Sequence, residues 1–264
     1  MTPPPLVIFT DLDGTLLDHE SYSHAPADAA LARLRAAGIP LVIASSKTAA
    51  EIAPLRRALG FAHVPAICEN GAGLLPALAE DAGESGDHAR ILAALQALPE
   101  TLRAPFRGFS RMGVAELAAL TGLPAPQAAL ARQRRFTEPG LWEGTGAARD
   151  AFAAALSARG IDAREGGRFL TLGTGRRKAD RMAEILAGYG DPPSLALGDA
   201  PNDVEMLEAA TRGVIVANPH RAPLPRLAGE DAGRIIRTER PGPEGWSRAV
   251  TGILSRDGIG TGGE

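Results

Sequence analysis

Asp11 and Asp13 stand at the end of an apolar run, Leu6-Val7-Ile8-Phe9-Thr10, with only Leu12 between them and Gly14-Thr15 behind. Two carboxylates at i and i+2 past a short buried strand are costly to desolvate unless something uses their charge. A hard divalent cation such as magnesium, which takes oxygen ligands, would use it. A second acid cluster, Gly198-Asp199-Ala200-Pro201-Asn202-Asp203, follows another apolar run, Leu195-Ala196-Leu197. In open α/β sheets ligands bind beyond the carboxyl ends of the strands, so two such clusters can meet at one metal. Asp199 is then expected to bind magnesium directly and Asp203 to hold it through water. Mutual repulsion of Asp11, Asp13, Asp199 and Asp203 is what the cation relieves.

The same positions suggest covalent chemistry at phosphorus. Asp11, the first acid past its strand, is placed to attack a phosphoryl group, because a carboxylate nucleophile divides one difficult hydrolysis into two easier steps. Asp13 could protonate the leaving oxygen and later activate water. Ser45-Ser46-Lys47-Thr48 ends a second apolar run and opens a helix, where free N–H groups and the helix dipole favour an anion. A plain helix cap would account for the serines alone; Asp11 on the neighbouring strand turns the reading toward phosphate, held by Ser45 and Ser46. Lys178 would supply a fixed positive charge, with Arg176 and Arg177 as rivals. It lies 21 residues before Asp199, room for a helix, a turn and a strand. Asn202 would bond the phosphate or Asp11, or cap the helix that follows it.

These residues need an α/β frame. Leu6–Thr10, Leu41–Ser45 and Ala66–Glu69 read as strands separated by helices at Ala25–Ala37 and Thr48–Leu59, a βαβαβ pattern that predicts a parallel sheet. Between about Asp81 and Gly175 the character changes. Helical stretches lie at His88–Leu98, Val114–Leu120, Pro126–Gln133 and Ala147–Ala158, with strand candidates at Arg135–Thr137 and Arg168–Leu172. The alternation then resumes, with a helix at Lys178–Ala187, a strand at Ser194–Leu197, a helix at Asn202–Ala209 and strands at Gly213–Val216 and Arg234–Arg237. The expectation is a doubly wound, mostly parallel core made of residues 1–80 and 176–256, interrupted by an inserted α/β cap at 81–175 and trailed by a glycine-rich, disordered tail at 257–264. Glu69 and Asn70, at the third strand end, are placed to bind sugar hydroxyls, or Asn70-Gly71 is only a turn. From the insert, Arg135, Glu138 and Arg168 are the substrate-binding candidates. Arg168 could grip a carboxylate with two parallel bonds, or it is a surface arginine.

Composition narrows the partners. A 264-residue chain with net charge −3 has no basic field for nucleic acid or an anionic membrane surface. No apolar run reaches the roughly 18 residues of a membrane span, and the start lacks a basic segment followed by an apolar one, so a cytoplasmic protein is expected. The single cysteine, Cys68, sits in an apolar run and reads as core, and the histidines show no zinc-type spacing. No Walker-type or dinucleotide glycine loop is present. The sequence sets no oligomeric state.

Taken together, Asp11-Leu12-Asp13-Gly14-Thr15, Ser45, Lys178 and Gly198-Asp199-x-x-Asn202-Asp203 resemble the four ordered motifs of the haloacid dehalogenase-like phosphatases, in the branch whose α/β cap follows the third strand. Within that branch the chain is similar to the mannosyl-3-phosphoglycerate phosphatase family. The segments that carry this are Ser45-Ser46-Lys47-Thr48 with Glu51-Ile52, Glu69-Asn70-Gly71-Ala72, Leu120-Thr121-Gly122-Leu123, Arg135-Phe136-Thr137-Glu138-Pro139 and Gly166-Gly167-Arg168-Phe169. The resemblance implies a Rossmann-like haloacid dehalogenase fold with Asp11 as nucleophile and Asp13 as general acid/base. It implies Mg2+ on Asp11, Asp199 and the Asp13 backbone carbonyl, and a small phosphorylated sugar-glycerate as substrate, released as mannosylglycerate, a compatible solute. Ser45, Ala179 and Ala200 depart from the residues common in the motifs, where threonine, glycine and serine are usual. Phosphatases of glucosyl-3-phosphoglycerate, sucrose-phosphate or trehalose-phosphate share every core residue, and a phosphomutase would form the same aspartyl-phosphate.

Overall fold

A computed structural model gives the fold and describes residues 3–166 and 168–260. Its strands, in chain order, are β1 (Val7–Thr10), β2 (Leu41–Ile43), β3 (Ala66–Cys68), β4 (Gly73–Leu75), β5 (Phe106–Gly108), β6 (Glu138–Trp142), β7 (Asp162–Gly166), β8 (Phe169–Gly173), β9 (Ser194–Gly198), β10 (Arg212–Ala217) and β11 (Ile235–Pro241). Val7-Ile8-Phe9-Thr10 and Ser194-Leu195-Ala196-Leu197-Gly198 are buried throughout, the continuous apolar run expected of parallel strands covered on both faces. They form the middle of a five-stranded parallel sheet in the order β11-β10-β9-β1-β2. From β1 the chain crosses to β2 on one side, and from β9 to β10 on the other. The strand order therefore reverses between β1 and β9, and the crevice beyond their carboxyl ends is where this architecture binds ligands.

Helices cover the sheet. Asp28–Ala36 packs with Gly242–Arg256, and Lys178–Tyr189 with Val204–Ala209. The chain thus has the doubly wound, mostly parallel α/β core expected from both of its ends. The third expected strand, β3, keeps the expected parallel sense beside the end of β2, but only through the bridge Ala44 to Ile67 among the described residues, and it pairs antiparallel with β4.

Between β4 and Lys178 lies a four-stranded antiparallel sheet, β5-β6-β8-β7. Alternation along β8 sends Leu170 and Leu172 into a cluster with Ile91, Phe106, Phe152 and Leu156, while Phe169 turns to the opposite face with Phe109, Leu117 and Ala128. The helices Asp87–Gln96 and Gly146–Ser157 cover the first face, and Val114–Thr121 and Ala125–Ala131 the second.

Several expectations shift. Arg135–Thr137 is no strand: β6 begins at Glu138, because the amides of 135–137 point to a carboxylate outside the insert. Phe106–Gly108, Asp162–Gly166 and the helix Gly242–Arg256 were not foreseen. Of the tail expected to be disordered, Thr261–Glu264 lie outside the described residues, but 257–260 are held: Arg212 pairs with Asp257, and Arg33 Nη2 donates to the Ile259 carbonyl at 2.7 Å. Among the described residues no helix is long and apolar enough to cross a membrane.

The helix Gly242–Arg256 reaches the strand that carries the first acids. Trp246 is fully buried, its Nε1 donates to Thr10 Oγ1 at 3.0 Å, and Thr10 Oγ1 donates to the Asp11 carbonyl at 2.7 Å. Trp246→Phe keeps most of the apolar burial but removes the donor, and should lower unfolding stability in a urea titration by about 1–3 kcal/mol, the cost of an unmet buried polar group.

Candidate active site

Oxygens of Asp11, Asp199 and Asp203 lie within 4.8 Å of one another at the carboxyl ends of β1 and β9. Lys178, at the start of its helix and buried, donates from Nζ to Asp11 Oδ1 at 2.8 Å and to Asp203 Oδ1 at 2.7 Å. Asp203 Oδ2 accepts from the backbone N–H of Asp199 at 3.1 Å and of Ala200 at 3.0 Å. Asp199 Oδ1 accepts from Thr15 Oγ1 at 2.6 Å; its Oδ2 accepts from Asn218 Nδ2 at 2.8 Å and lies 3.2 Å from Arg221 Nε. Gly14 is required where the chain turns after Asp13: its φ is +83°, and a Cβ there would stand 2.4 Å from Asn218 Nδ2.

The charges are out of balance. Burial, then the neighbouring Asp11, raises the pKa of Asp199; burial, with Asp11 and Asp199 adding to it against Lys178, pushes Asp203 up to about 7. Burial works against the Lys178 ammonium too, but Asp11 and Asp203 outweigh it and hold its pKa above the usual lysine value. Three carboxylates facing one buried ammonium, with only oxygen donors, fit a hard divalent cation. Asp11 and Asp199 would hold it. Asp203, whose two oxygens already accept three hydrogen bonds, buttresses Lys178 and the 199–200 turn instead.

Asp13 stands apart from this trio. Its Oδ2 is 2.9 Å from Lys47 Nζ, and its Oδ1 is enclosed with no hydrogen-bond partner among the described residues. Burial is the largest influence on it and raises its pKa; Lys47 opposes this and Asp11 reinforces it. A carboxyl so placed is suited to carry a proton. Lys47, whose ammonium also lies 5.5 Å from the Tyr22 ring centre, is a functional group the sequence reading passed over inside its own motif. Asn218 and Arg221 were missed as well. They follow β10, so the strand-end rule that found Asp199 would have found Asn218.

A cleft of about 480 Å³ joins Asp11, Asp13 and Lys178 to the insert, and Ser46, Asn70, Asn202 and Arg168 also line it. Ser45 is buried beneath it, its Oγ accepting from Lys47 N at 3.2 Å, and Thr48 rather than a serine caps the helix that follows. Asn202 Nδ2 donates to Asn70 Oδ1 at 2.8 Å. Arg168 lies in the turn before β8, donating to the carbonyls of Leu120 at 3.1 Å and Thr121 at 3.3 Å, with no carboxylate partner among the described residues.

Three of the expected substrate contacts are committed elsewhere. Glu69 is buried, and its carboxylate accepts from the backbone and hydroxyl of 135–137, which commits it to the insert rather than to sugar hydroxyls. Arg135 turns away to Asp81 and Glu84. Glu138 is buried on the far face of β6, 2.7 Å from His88 Nε2, and accepts from Ser110 N and Oγ. Glu69 and Asn70 also have φ of +48° and +60°, a left-handed conformation that costs a residue with a Cβ about 1–2 kcal/mol.

An open parallel sheet with buried acids and a lysine at its switch point, beneath an inserted α/β unit, is the frame of a family of hydrolases. The haloacid dehalogenase-like hydrolase family profile matches residues 8–82 and 174–223. These segments fall in the two halves of the parallel-sheet unit, so the similarity to haloacid dehalogenase-like hydrolases lies in that unit. Solved structures share the architecture over nearly the whole chain. A haloacid dehalogenase-like hydrolase from Bacteroides thetaiotaomicron is 20% identical with a TM-score of 0.65, covering 94% of this chain and 98% of its own. The sucrose-phosphatase of Synechocystis sp. PCC6803 is 15% identical with a TM-score of 0.62, over 96% and 98%. A HAD subclass IIB sugar phosphatase is 14% identical with a TM-score of 0.62, over 96% and 99%. At these identities the likeness is one of fold.

The charge imbalance has a thermodynamic signature. Asp203 is raised from 3.8 to about 7, so its contribution to stability is present below about pH 4 and is lost as pH rises through about 7. Magnesium should therefore raise the thermal midpoint more at pH 8 than at pH 5, because Asp203, beside the cation site, carries at the higher pH a charge that the cation offsets. At a hundredfold excess over its Kd a ligand of the folded state adds about 2.7 kcal/mol. Asp199→Asn should abolish the shift, and calorimetry with and without the ion checks it.

Proposed function

We propose that this chain is a magnesium-dependent phosphatase of small sugar-phosphate esters, that residues 81–175 act as its cap, and that its substrate is mannosyl-3-phosphoglycerate. The observation that carries the chemistry is the unequal treatment of two neighbouring acids. Asp11 has Oδ1 capped by Lys178 and an Oδ2 that accepts no hydrogen bond among the described residues, while Asp13 carries a part-exposed carboxyl with one enclosed oxygen and a raised pKa. The first is the nucleophile of this reading and the second its proton donor, the separation of roles such pairs require.

In this reading Asp11 Oδ2 attacks phosphorus, the ester P–O bond breaks, and the Asp13 carboxyl gives its proton to the departing oxygen. Asp13, now a carboxylate, takes a proton from water as the water oxygen attacks the aspartyl-phosphate; inorganic phosphate leaves and Asp11 is restored. Lys178 keeps a fixed positive charge against the transferring group, with Ser46 and Asn202 on the cleft wall to bond its oxygens. When bound at Asp11 and Asp199, magnesium supplies further neutralisation of phosphoryl charge. Asp11→Asn should be nearly inactive. Asp13→Ala should lose about 10²–10⁴-fold in turnover while still binding magnesium and phosphate. Wild-type turnover in Asp11→Asn, measured as phosphate release, would refute the covalent step.

The sugar-glycerate substrate is supported by the segment resemblance and by Arg168, an arginine on the cleft wall without a carboxylate partner among the described residues. Phosphate release from mannosyl-3-phosphoglycerate, 3-phosphoglycerate, sucrose-phosphate and hexose phosphates, with and without magnesium, tests it. A charge-assisted contact is worth roughly 1.5–3 kcal/mol, so Arg168→Ala should lose about 10- to 150-fold in kcat/KM on the phosphoglycerate ester and keep its rate on p-nitrophenyl phosphate. A parallel loss on both substrates would assign Arg168 to the phosphate site or the fold.

A further inference from the structure

The Glu69 carboxylate binds chain that belongs to the other half of the molecule. Its Oε1 accepts from Arg135 N at 2.9 Å; its Oε2 accepts from Phe136 N at 3.3 Å, Thr137 N at 2.8 Å and Thr137 Oγ1 at 2.6 Å. Phe136, in the middle of this strip, is buried with the residues of the parallel-sheet core rather than those of the insert. The strip is tied down at two further points, where Thr48 Oγ1 donates to the Leu130 carbonyl at 3.0 Å and Arg134 Nη1 to the Ser46 carbonyl at 2.8 Å.

On its other side the same turn reaches the catalytic loops. Glu69 N donates to the Lys47 carbonyl and Asn70 N to the Ser45 carbonyl, both at 2.9 Å, and Asn70 Oδ1 accepts from Asn202 at 2.8 Å. Glu69 and Asn70 are both left-handed, and a glutamate does not hold that conformation unaided. Lifting the 130–137 strip would take four donors from a buried carboxylate, which then needs water. The turn would relax toward solvent and release the carbonyls of Ser45 and Lys47 together with Asn202. Docking of the strip and order in the loops are thereby joined through Glu69, beside the direct ties from Arg134 to Ser46 and from Thr48 to Leu130.

We propose that Glu69 is a positioning residue that makes the assembly of the Ser45–Lys47 loop and Asn202 conditional on docking of the insert strip 130–137. The catalytic consequence rests on the phosphatase reading; the coupling itself does not.

Amide hydrogen exchange on the full chain tests it, using Thr137→Val, which removes one donor at nearly constant volume, Glu69→Gln, and Thr137→Ser as the conservative variant that keeps the hydroxyl. In Thr137→Val, exchange at 135–137 should quicken about 10- to 100-fold, and exchange at Glu69 and Asn70 by a similar factor, with β1 and β9 unchanged. Glu69→Gln should do the same, and Thr137→Ser should resemble the wild type. In the two disrupting variants kcat/KM for p-nitrophenyl phosphate, too small to span the insert, should fall about as far. Faster exchange confined to 135–137, no change in either segment, or undiminished kcat/KM overturns the proposal. Absence of phosphate release by the wild type would remove the phosphatase reading, and the exchange experiment would still decide the coupling.

Discussion

One ammonium group organises the site. Lys178 Nζ lies between Asp11 and Asp203 where no water reaches it, and ions in such a place cost several kcal/mol each unless they are paired and fully hydrogen-bonded. The pairing is lopsided. Asp203 meets its needs with Lys178 and two backbone amides, whereas Asp11 receives the ammonium on one oxygen only. The protein thus places a mostly buried carboxylate on the cleft wall with one oxygen left to the cleft, the disposition the proposed nucleophile needs. The residual negative charge is the reason a cation belongs there, and the same charge enters the pKa of Asp13 two residues on.

Topology is what makes that convergence cheap. Because the strand order reverses between β1 and β9, their ends diverge into a crevice, and two short loops deliver Asp11 and Asp199 without any long excursion of chain. Close approach then depends on small residues. A Cβ on Gly198 would stand 2.5 Å from Asp203, so the loop that carries Asp199 could not fold back on its own side chain. From behind, Trp246 and Thr10 fix the backbone that presents Asp11.

The strands and acids of the parallel sheet were legible in the sequence because burial on both faces leaves unbroken apolar runs, and because acids immediately past such runs have few structural uses. The insert was less legible for physical reasons. Phe106–Gly108 is three residues long; Asp162–Gly166 is a polar, exposed edge strand with no alternation to read; and Glu138-Pro139-Gly140-Leu141-Trp142 contains the two residues that ordinarily mark a turn. The helix Gly242–Arg256 hides behind Gly-Pro-Glu-Gly at its start. Glu69 was noticed for its position and misread for its role, since nothing in the sequence tells that its partners are amides some 66–68 residues ahead. Lys47 was in plain view inside a motif read for its hydroxyls.

The arrangement of strands also governs when, during synthesis, the site comes into existence. Thr15 and Asp199 are joined by a hydrogen bond across 184 residues, and Asn218, which steadies Asp199, is made later still. β1 is made before its neighbour β9, which emerges only after the entire insert, so Asp11 and Asp13 wait through the synthesis of the insert on a strand with one edge open. Nascent or truncated chains lacking residues beyond about Gly198 hold the acids but not the partners that bury them. They therefore lack the assembled site and expose one edge of the buried strand Val7–Thr10, which makes them clients for chaperones.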